Sequence, residues 1–285
     1  MGWIASARMT RTLVPVLIVA LVWPLVVAPL ALAQAPEVAK TKAAVVDFEN
    51  LSEVGGRMLA RNVTDETVLA LIRTGSFEVT PREEFYEVAK TLGLQPPFDM
   101  LKLENIGKAL EIDVVVLGKV TGVRLEREPR RALIDVQVLA YDIIAREYVL
   151  GASVIGEGHA LPGYIGPDDP LLRDAISNAC DKAAIAMASQ RTRTFTVGMV
   201  DDTGAAVVPN AGRQEGVMRG ALMAVLRPEW DPEKKDIFLR KLGRVTVIEV
   251  TAHDCTVRPL EGGLRLMNGD KLRLIYREPA EQRKA

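Results

Sequence analysis

Apolar and polar positions follow two different rhythms along the first two thirds of the chain. Between residues 43 and 190, short apolar runs separate stretches whose apolar residues recur at helical spacing. The apolar runs predict strands over 43–48, 77–80 and 112–120. The helical stretches predict a helix from the turn at 49–56 to Arg73, a second from Pro81, and two more over 101–110 and 171–190.

Strict alternation follows the apolar strand at 112–120. Ile134, Val136, Val138 and Ala140 point to one side of a strand, and residues 147–156 repeat the pattern after a turn near 142–146. These segments predict a hairpin. Added to the elements before it, the hairpin predicts a mixed β-sheet flanked by helices.

The pattern changes after residue 193. No helical period spans 194–278, and glycines punctuate short strands predicted at 195–200, 205–208, 222–226, 244–250, 255–257 and 271–275. Short strands at such spacing favour a small all-β barrel or sandwich. The predicted fold class is therefore α+β, with an α/β domain over 40–191 and a barrel domain over 194–278. A charged, disordered tail is expected over 279–285.

The first 33 residues have the layout of a secretory signal peptide. Arg8 and Arg11 precede an apolar run over 13–33, which ends in a small-x-small pattern at Ala33. We expect cleavage after Ala33 and a periplasmic protein, possible association with the outer membrane being left open. An uncleaved anchor is the alternative, because the run is long enough to span a membrane. Beyond it no apolar run predicts a transmembrane segment, and no cysteine near residue 33 could carry a lipid.

Charge and cysteine content narrow the functional class. The chain has 36 basic and 37 acidic residues, an even mixture that argues against a nucleic-acid binder. Its two cysteines are Cys180, on an apolar helix face, and Cys255. We expect two buried thiols rather than a disulfide.

The sequence offers few groups for catalysis. The histidines, His159 and His253, lack the spacing of metal ligands, and no nucleophile elbow or phosphate-binding loop occurs. His253-Asp254-Cys255 is interpreted as a polar turn, and Gly55-Gly56 as a helix-entry loop. We therefore predict a non-enzyme with no metal and no cofactor. A hydrolase with an unrecognised site is the remaining alternative.

One cluster of basic residues is a candidate for partner binding. Arg124, Arg127, Arg130 and Arg131 lie about a turn at Pro129, interleaved with two glutamates. The cluster could contact a partner or an anionic polymer. A solvated hairpin tip is the alternative, because the glutamates weaken the basic field.

Several segments resemble the curli-secretion (CsgG-type) family and the related N-terminal region of TolB. They are KAAVVDFEN at 42–50, GSFEVTPRE at 75–83, IGKALEIDVVVLGKVTGV at 106–123 and VQVLAYDIIAREYVLGASVIGEG at 136–158. The second domain resembles the C-terminal barrel of the flagellar protein FlgT, on GRQEGVMRGALMAVLRP at 212–228 and the segments at 242–263 and 268–275.

These resemblances imply scaffolding in the cell envelope. The leading hypothesis is an adaptor or assembly component that binds other envelope proteins, with a homo-oligomer possible. The alternative is a subunit of an outer-membrane curli-type secretion channel. Such channels are lipoproteins with long membrane hairpins, whereas the corresponding connections here, 125–132 and 158–170, are charged or short and rich in proline.

Overall fold

The structure, a computed structural model, describes residues 40–190, 193–233 and 235–277. The expected signal peptide with its cleavage after Ala33, and the expected tail at 279–285, lie outside the described residues.

The first part of the chain forms six strands and four helices. The strands are β1 (Thr41–Val45), β2 (Glu49–Asn50), β3 (Phe77–Thr80), β4 (Val114–Arg127), β5 (Arg130–Asp142) and β6 (Glu147–His159). The helices are α1 (Gly56–Arg73), α2 (Arg82–Thr91), α3 (Met100–Ala109) and α4 (Asp169–Gln190).

The six strands form one mixed sheet. Five of them follow the order β3-β1-β4-β5-β6, and the short β2 pairs in parallel with a later part of β4. Strand β1 is parallel to both β3 and β4, whereas β4, β5 and β6 are antiparallel. Helices α1 and α4 pack on one face, where Ala43, Ile134 and Val136 are buried with Val63 and Ala179. Helices α2 and α3 cover the other face. Successive side chains of β1 and β4 therefore enter different cores.

Helix α4 lies unusually close to β6, because two glycines of this strand face it. A Cβ added at Gly156 would stand 2.1 Å from the carbonyl oxygen of Ala175, and one at Gly158 would stand 2.0 Å from that of Leu171. Backbone atoms cannot yield as a flexible side chain can. Glycine at these positions therefore sets the distance between helix and sheet.

We expect Gly156→Ala to lower the free energy of unfolding by about 1–3 kcal/mol, because the methyl group would displace α4 from the sheet. Urea denaturation measures this loss. Gly262→Ala is the matched control, since an added Cβ there meets no atom within 4 Å. Equal stability of the two variants would contradict the close helix–sheet contact.

The second part of the chain forms a curled antiparallel sheet of seven strands. They are β7 (Thr194–Thr196), β8 (Met199–Val200), β9 (Ala206–Val208), β10 (Leu222–Asp231), β11 (Asp236–Val250), β12 (Cys255–Pro259) and β13 (Lys271–Leu274). The order is β7-β13-β10-β11-β12-β9-β8, so the two outermost strands are neighbours in sequence. Segment 194–200 thus pairs with β13 at one end and with β9 at the other.

The predicted α+β fold class, a mixed sheet flanked by helices followed by a small all-β unit, is confirmed. The main difference lies in the second sheet. The sequence pattern predicted strands ending at 226 and resuming at 244, whereas β10 and β11 continue through residues 227–231 and 236–243 as one long hairpin.

Candidate interaction surface

The turn between β5 and β6 carries a fully buried carboxylate. Asp142 accepts hydrogen bonds from the backbone N–H groups of Ile144 (2.9 Å) and Ala145 (2.6 Å) through Oδ1. Its other oxygen, Oδ2, pairs with the guanidinium of Arg273 on β13. The first sheet is thereby linked to the second through an ion pair with almost no access to water.

A second carboxylate of the same turn binds two cations of β11. The Glu147 Oε1 atom lies 2.5 Å from Lys241 Nζ and 2.7 Å from Arg244 Nε, and the Glu147 side chain is 11% exposed. Solvent screens the contact with Lys241, whose side chain is 22% exposed, more weakly than the contact with Arg244, whose side chain is 46% exposed. The ionic contacts of Asp142 and Glu147 therefore hold both β13 and β11 against the first sheet.

Apolar contacts complete this junction. Ala145 of the turn is buried with Ala224 and Leu226 of β10, and Ile144, Leu239 and Ile275 pack around them. Since Leu226 and Leu239 belong to β10 and β11, the base of the long hairpin is fixed to the first sheet.

The far end of that hairpin presents large apolar side chains to solvent. Trp230 is 61% exposed and lies opposite Ile237, which is 62% exposed. Phe238 is 45% exposed and lies opposite Glu229 on the other side of the strands. We call Trp230, Ile237 and Phe238 the apolar hairpin end.

The apolar hairpin end is surrounded by charged groups. Glu229 pairs with Arg240 at 3.2 Å, beside Phe238, and Asp231 and Asp236 face each other at the turn. A tryptophan among exposed apolar residues with a polar rim is the composition of an energetically important protein contact. We therefore treat the apolar hairpin end as the candidate interaction surface.

The predicted arginine cluster lies at the β4–β5 turn, as expected, but most of its charge is paired within the chain. Arg131 binds Glu126 at 2.6 Å, and Arg124 binds Asp135 at 3.4 Å. Arg127 is exposed at the end of β4. Partner binding by this cluster stays a prediction.

Arg130, the fourth member of the cluster, holds the loop before α4. Its guanidinium donates to the Asp168 carboxylate (2.6 Å) and to the carbonyl oxygens of Tyr164 (3.2 Å) and Gly166 (2.6 Å). It also lies 5.2 Å from the centre of the Tyr164 ring. The contacts of Arg130 within the chain therefore explain its position without a binding partner.

The free edge of β6 is capped by side chains of α4. The Gln190 amide donates to the Gly151 carbonyl oxygen (2.7 Å) and accepts from the Gly151 N–H (3.0 Å). The Lys182 ammonium donates to the Ile155 carbonyl oxygen (3.0 Å), and Asn178 accepts from the Glu157 N–H. These groups occupy backbone positions that an added strand would need.

The two other sequence motifs are local turns, as predicted. The Asn50 side chain donates to the carbonyl oxygens of Val54 (2.8 Å) and Gly56 (2.9 Å), which ties the loop that enters α1. At 251–254, the Thr251 hydroxyl oxygen accepts from the N–H groups of His253 and Asp254, so His253 lies in an exposed turn. His159 lies 3.2 Å from Glu157 at the exposed end of β6. Among the described residues, no group of three histidine, cysteine or acidic side chains could hold a metal ion.

The prediction of two buried thiols is confirmed. Cys180 packs between α4 and α1, and Cys255 lies in the core of the second sheet. Burial raises the pKa of Cys180 to about 12 and that of Cys255 to about 11. Both thiols are therefore protonated at neutral pH.

We expect neither thiol to react with Ellman's reagent in the native protein at pH 8, because the thiolate is the nucleophile and both groups are buried. Two thiols should react once guanidinium chloride has unfolded the chain. Rapid reaction of either cysteine without denaturant would contradict the packing of its core.

Comparisons with known proteins give distant structural similarity. No family model and no curated protein matches the sequence. The C-terminal domain of LpoB from Salmonella enterica is 15% identical, with a TM-score of 0.33 over 41% of this chain and 82% of that domain. The PelC dodecamer from Paraburkholderia phytofirmans gives 14% identity and a TM-score of 0.35 over 52% of this chain and 87% of that one. A lipoprotein from Neisseria meningitidis is 15% identical, with a TM-score of 0.33 over 44% of this chain and 88% of that one.

TM-scores at this level assign no function, and the resemblance to the curli-secretion family stays a prediction. Within the described ranges, no helix is long and apolar enough to cross a membrane.

Proposed function

We propose that this protein is a non-enzymatic component of the cell envelope that acts as an adaptor, binding another envelope protein through the apolar hairpin end. The observation that carries this proposal is the exposure of Trp230, Ile237 and Phe238 on one hairpin. The expected signal peptide supports a location in the cell envelope. The resemblance to the CsgG-type family supports a role in assembly or secretion.

The base of the hairpin supports a binding role for its end. Leu226 and Leu239 pack against Ala145, and Lys241 binds Glu147, so the strands are anchored before they project. An anchored surface loses less conformational entropy on binding than a flexible loop does. Two other surfaces are less suited, since α4 caps the β6 edge and the chain itself pairs Arg124, Arg130 and Arg131.

Photo-crosslinking in cells tests the proposal. A photoreactive amino acid replaces Ile237 in the tagged full-length protein, and a matched control replaces Leu260, which is 51% exposed and directly follows β12. We expect a crosslink to one envelope protein from position 237 and none from position 260. Equal crosslinking from both positions, or none from 237, would contradict the proposal.

Fractionation of the same cells tests the compartment. A soluble periplasmic pool that begins at Gln34 is the expected result for an adaptor. Recovery that requires detergent, together with crosslinks between copies of this chain, would favour the channel alternative. Recovery with residues 1–33 retained would indicate a tethered protein.

A further inference from the structure

A crevice of about 610 Å³ lies between the two sheets, away from the apolar hairpin end. Its walls come from β6, the end of α4, the loop before β10, and the residues around β7 and β13. The volume is in the range of small-molecule sites, which span roughly 300–1,000 Å³.

Three arginines around this crevice have no partner among the residues that the structure describes. Arg193, Arg219 and Arg277 are exposed, and none makes an ion pair or side-chain hydrogen bond with a described residue. Arg273, by contrast, is committed to Asp142 and to the Thr194 hydroxyl. In the first sheet, Arg124, Arg130 and Arg131 are likewise paired.

The charge of the crevice favours an anion. Among the described residues that line it, Glu215 is the acidic one, and its carboxylate accepts a hydrogen bond from the Gly212 N–H at 2.9 Å. Counted over the described lining alone, these three guanidinium groups and one carboxylate leave a surplus of two positive charges. A phosphate monoester carries about −1.5 to −2 at neutral pH and therefore balances this surplus.

The residues that line the crevice also indicate which kind of group is attached to the anion. Val149, Met218 and Ile275 give the crevice an apolar wall beside the arginines. The guanidinium fork binds phosphate oxygens in pairs, with more geometric specificity than an ammonium group. We propose that this crevice binds the phosphate group of an organic phosphate ester whose remainder is apolar. This inference is independent of the adaptor role.

Nucleic acid is a poorer fit. A bound strand would need basic groups along an extended surface. The full chain has a net charge of −1, with 36 basic and 37 acidic residues.

Titration calorimetry of the tagged full-length protein tests the proposal. The probes are inorganic phosphate, dihexanoylphosphatidic acid below its micelle concentration, and dihexanoylphosphatidylcholine as the neutral control. We expect saturable binding of the phosphatidic acid and at least tenfold weaker binding of the phosphatidylcholine. Binding of the phosphatidic acid at least tenfold tighter than that of inorganic phosphate would support an apolar remainder. Comparable binding of inorganic phosphate would show that the remainder contributes nothing and would overturn that part of the proposal. Absence of binding by both phosphate probes would overturn the proposal.

Two variants locate the site. The double variant Arg219→Gln/Arg277→Gln should weaken binding about tenfold or more, since charge-assisted hydrogen bonds are lost. Arg258→Gln, an exposed arginine of β12 outside the crevice, should leave it unchanged. An equal loss in both variants would indicate nonspecific charge attraction and overturn the site.

The wild-type protein gives a second readout that does not depend on a variant's folding. Backbone amide shifts on phosphatidic acid titration should concentrate at 216–222 and 273–277. Shifts confined to other regions would place the ligand elsewhere and overturn the proposal.

Discussion

Replacing Asp142 with alanine should lower the free energy of unfolding by about 3–5 kcal/mol, because breaking a buried ion pair leaves an uncompensated charge. The Arg273 guanidinium would lose its buried partner, and the N–H groups of Ile144 and Ala145 would lose their acceptor. Each buried donor left without an acceptor costs about 1–3 kcal/mol on its own. Urea denaturation followed by circular dichroism measures the change.

Two further variants separate the charge from the turn. Asp142→Asn keeps an acceptor for the two N–H groups while removing the charge, so it should destabilise the protein less than the alanine variant does. Asp202→Ala, in an exposed turn of the second sheet, is the matched control and should change stability by less than about 0.5 kcal/mol. A double-mutant cycle of Asp142→Ala with Arg273→Ala should give a coupling energy within about 0.5–3 kcal/mol. Additive effects would show that the two residues do not interact.

Replacing Trp230 with alanine should weaken binding of the partner by about 2 kcal/mol or more, which is roughly a thirtyfold change in the dissociation constant. The melting temperature should stay nearly constant, because the tryptophan is 61% exposed in the free protein. Trp230 is the single tryptophan outside the first 33 residues, so its fluorescence reports on this surface in the cleaved protein. We expect its emission to shift to shorter wavelength when the partner covers it.

Leu260→Ala supplies the comparison for this second prediction, since Leu260 is a large exposed apolar residue that directly follows β12. It should leave both the affinity and the fluorescence shift unchanged. Full affinity in the Trp230→Ala variant would exclude the apolar hairpin end from the interface.

Alternation predicted the faces of the first sheet correctly. Ile134, Val136, Val138 and Ala140 enter the core beneath α1 and α4, while Tyr141 enters the core on the other face. A strand turns successive side chains to opposite sides, so its own sequence records which side is buried. The sequence also predicted the end of α1 correctly. Gly75 adopts the left-handed conformation that ends a helix.

The sequence pattern did not predict the outer part of the long hairpin. Pro228, Pro232 and Gly243 interrupt the segment and favour a loop. In the structure, Pro228 lies opposite Leu239 within the ladder, and the pair continues the apolar face that begins at Leu226. Apolar residues occur at every second position in both strands: Leu226, Pro228 and Trp230 in β10, and Ile237 and Leu239 in β11. This alternation was the signal that could have revealed these strands.

Apart from the outer part of the long hairpin, local pattern thus determined the elements, their buried faces and the burial of both cysteines, because each depends on neighbours along the same helix or strand. Only the tertiary structure decided the partners. Asp142 has the sequence of an ordinary turn residue, yet its counterion, Arg273, is 131 positions away. Likewise, Arg193, Arg219 and Arg277 line one crevice although they belong to three separate segments. Periodicity records whether a side chain is buried, whereas packing between sheets determines which distant charge it meets.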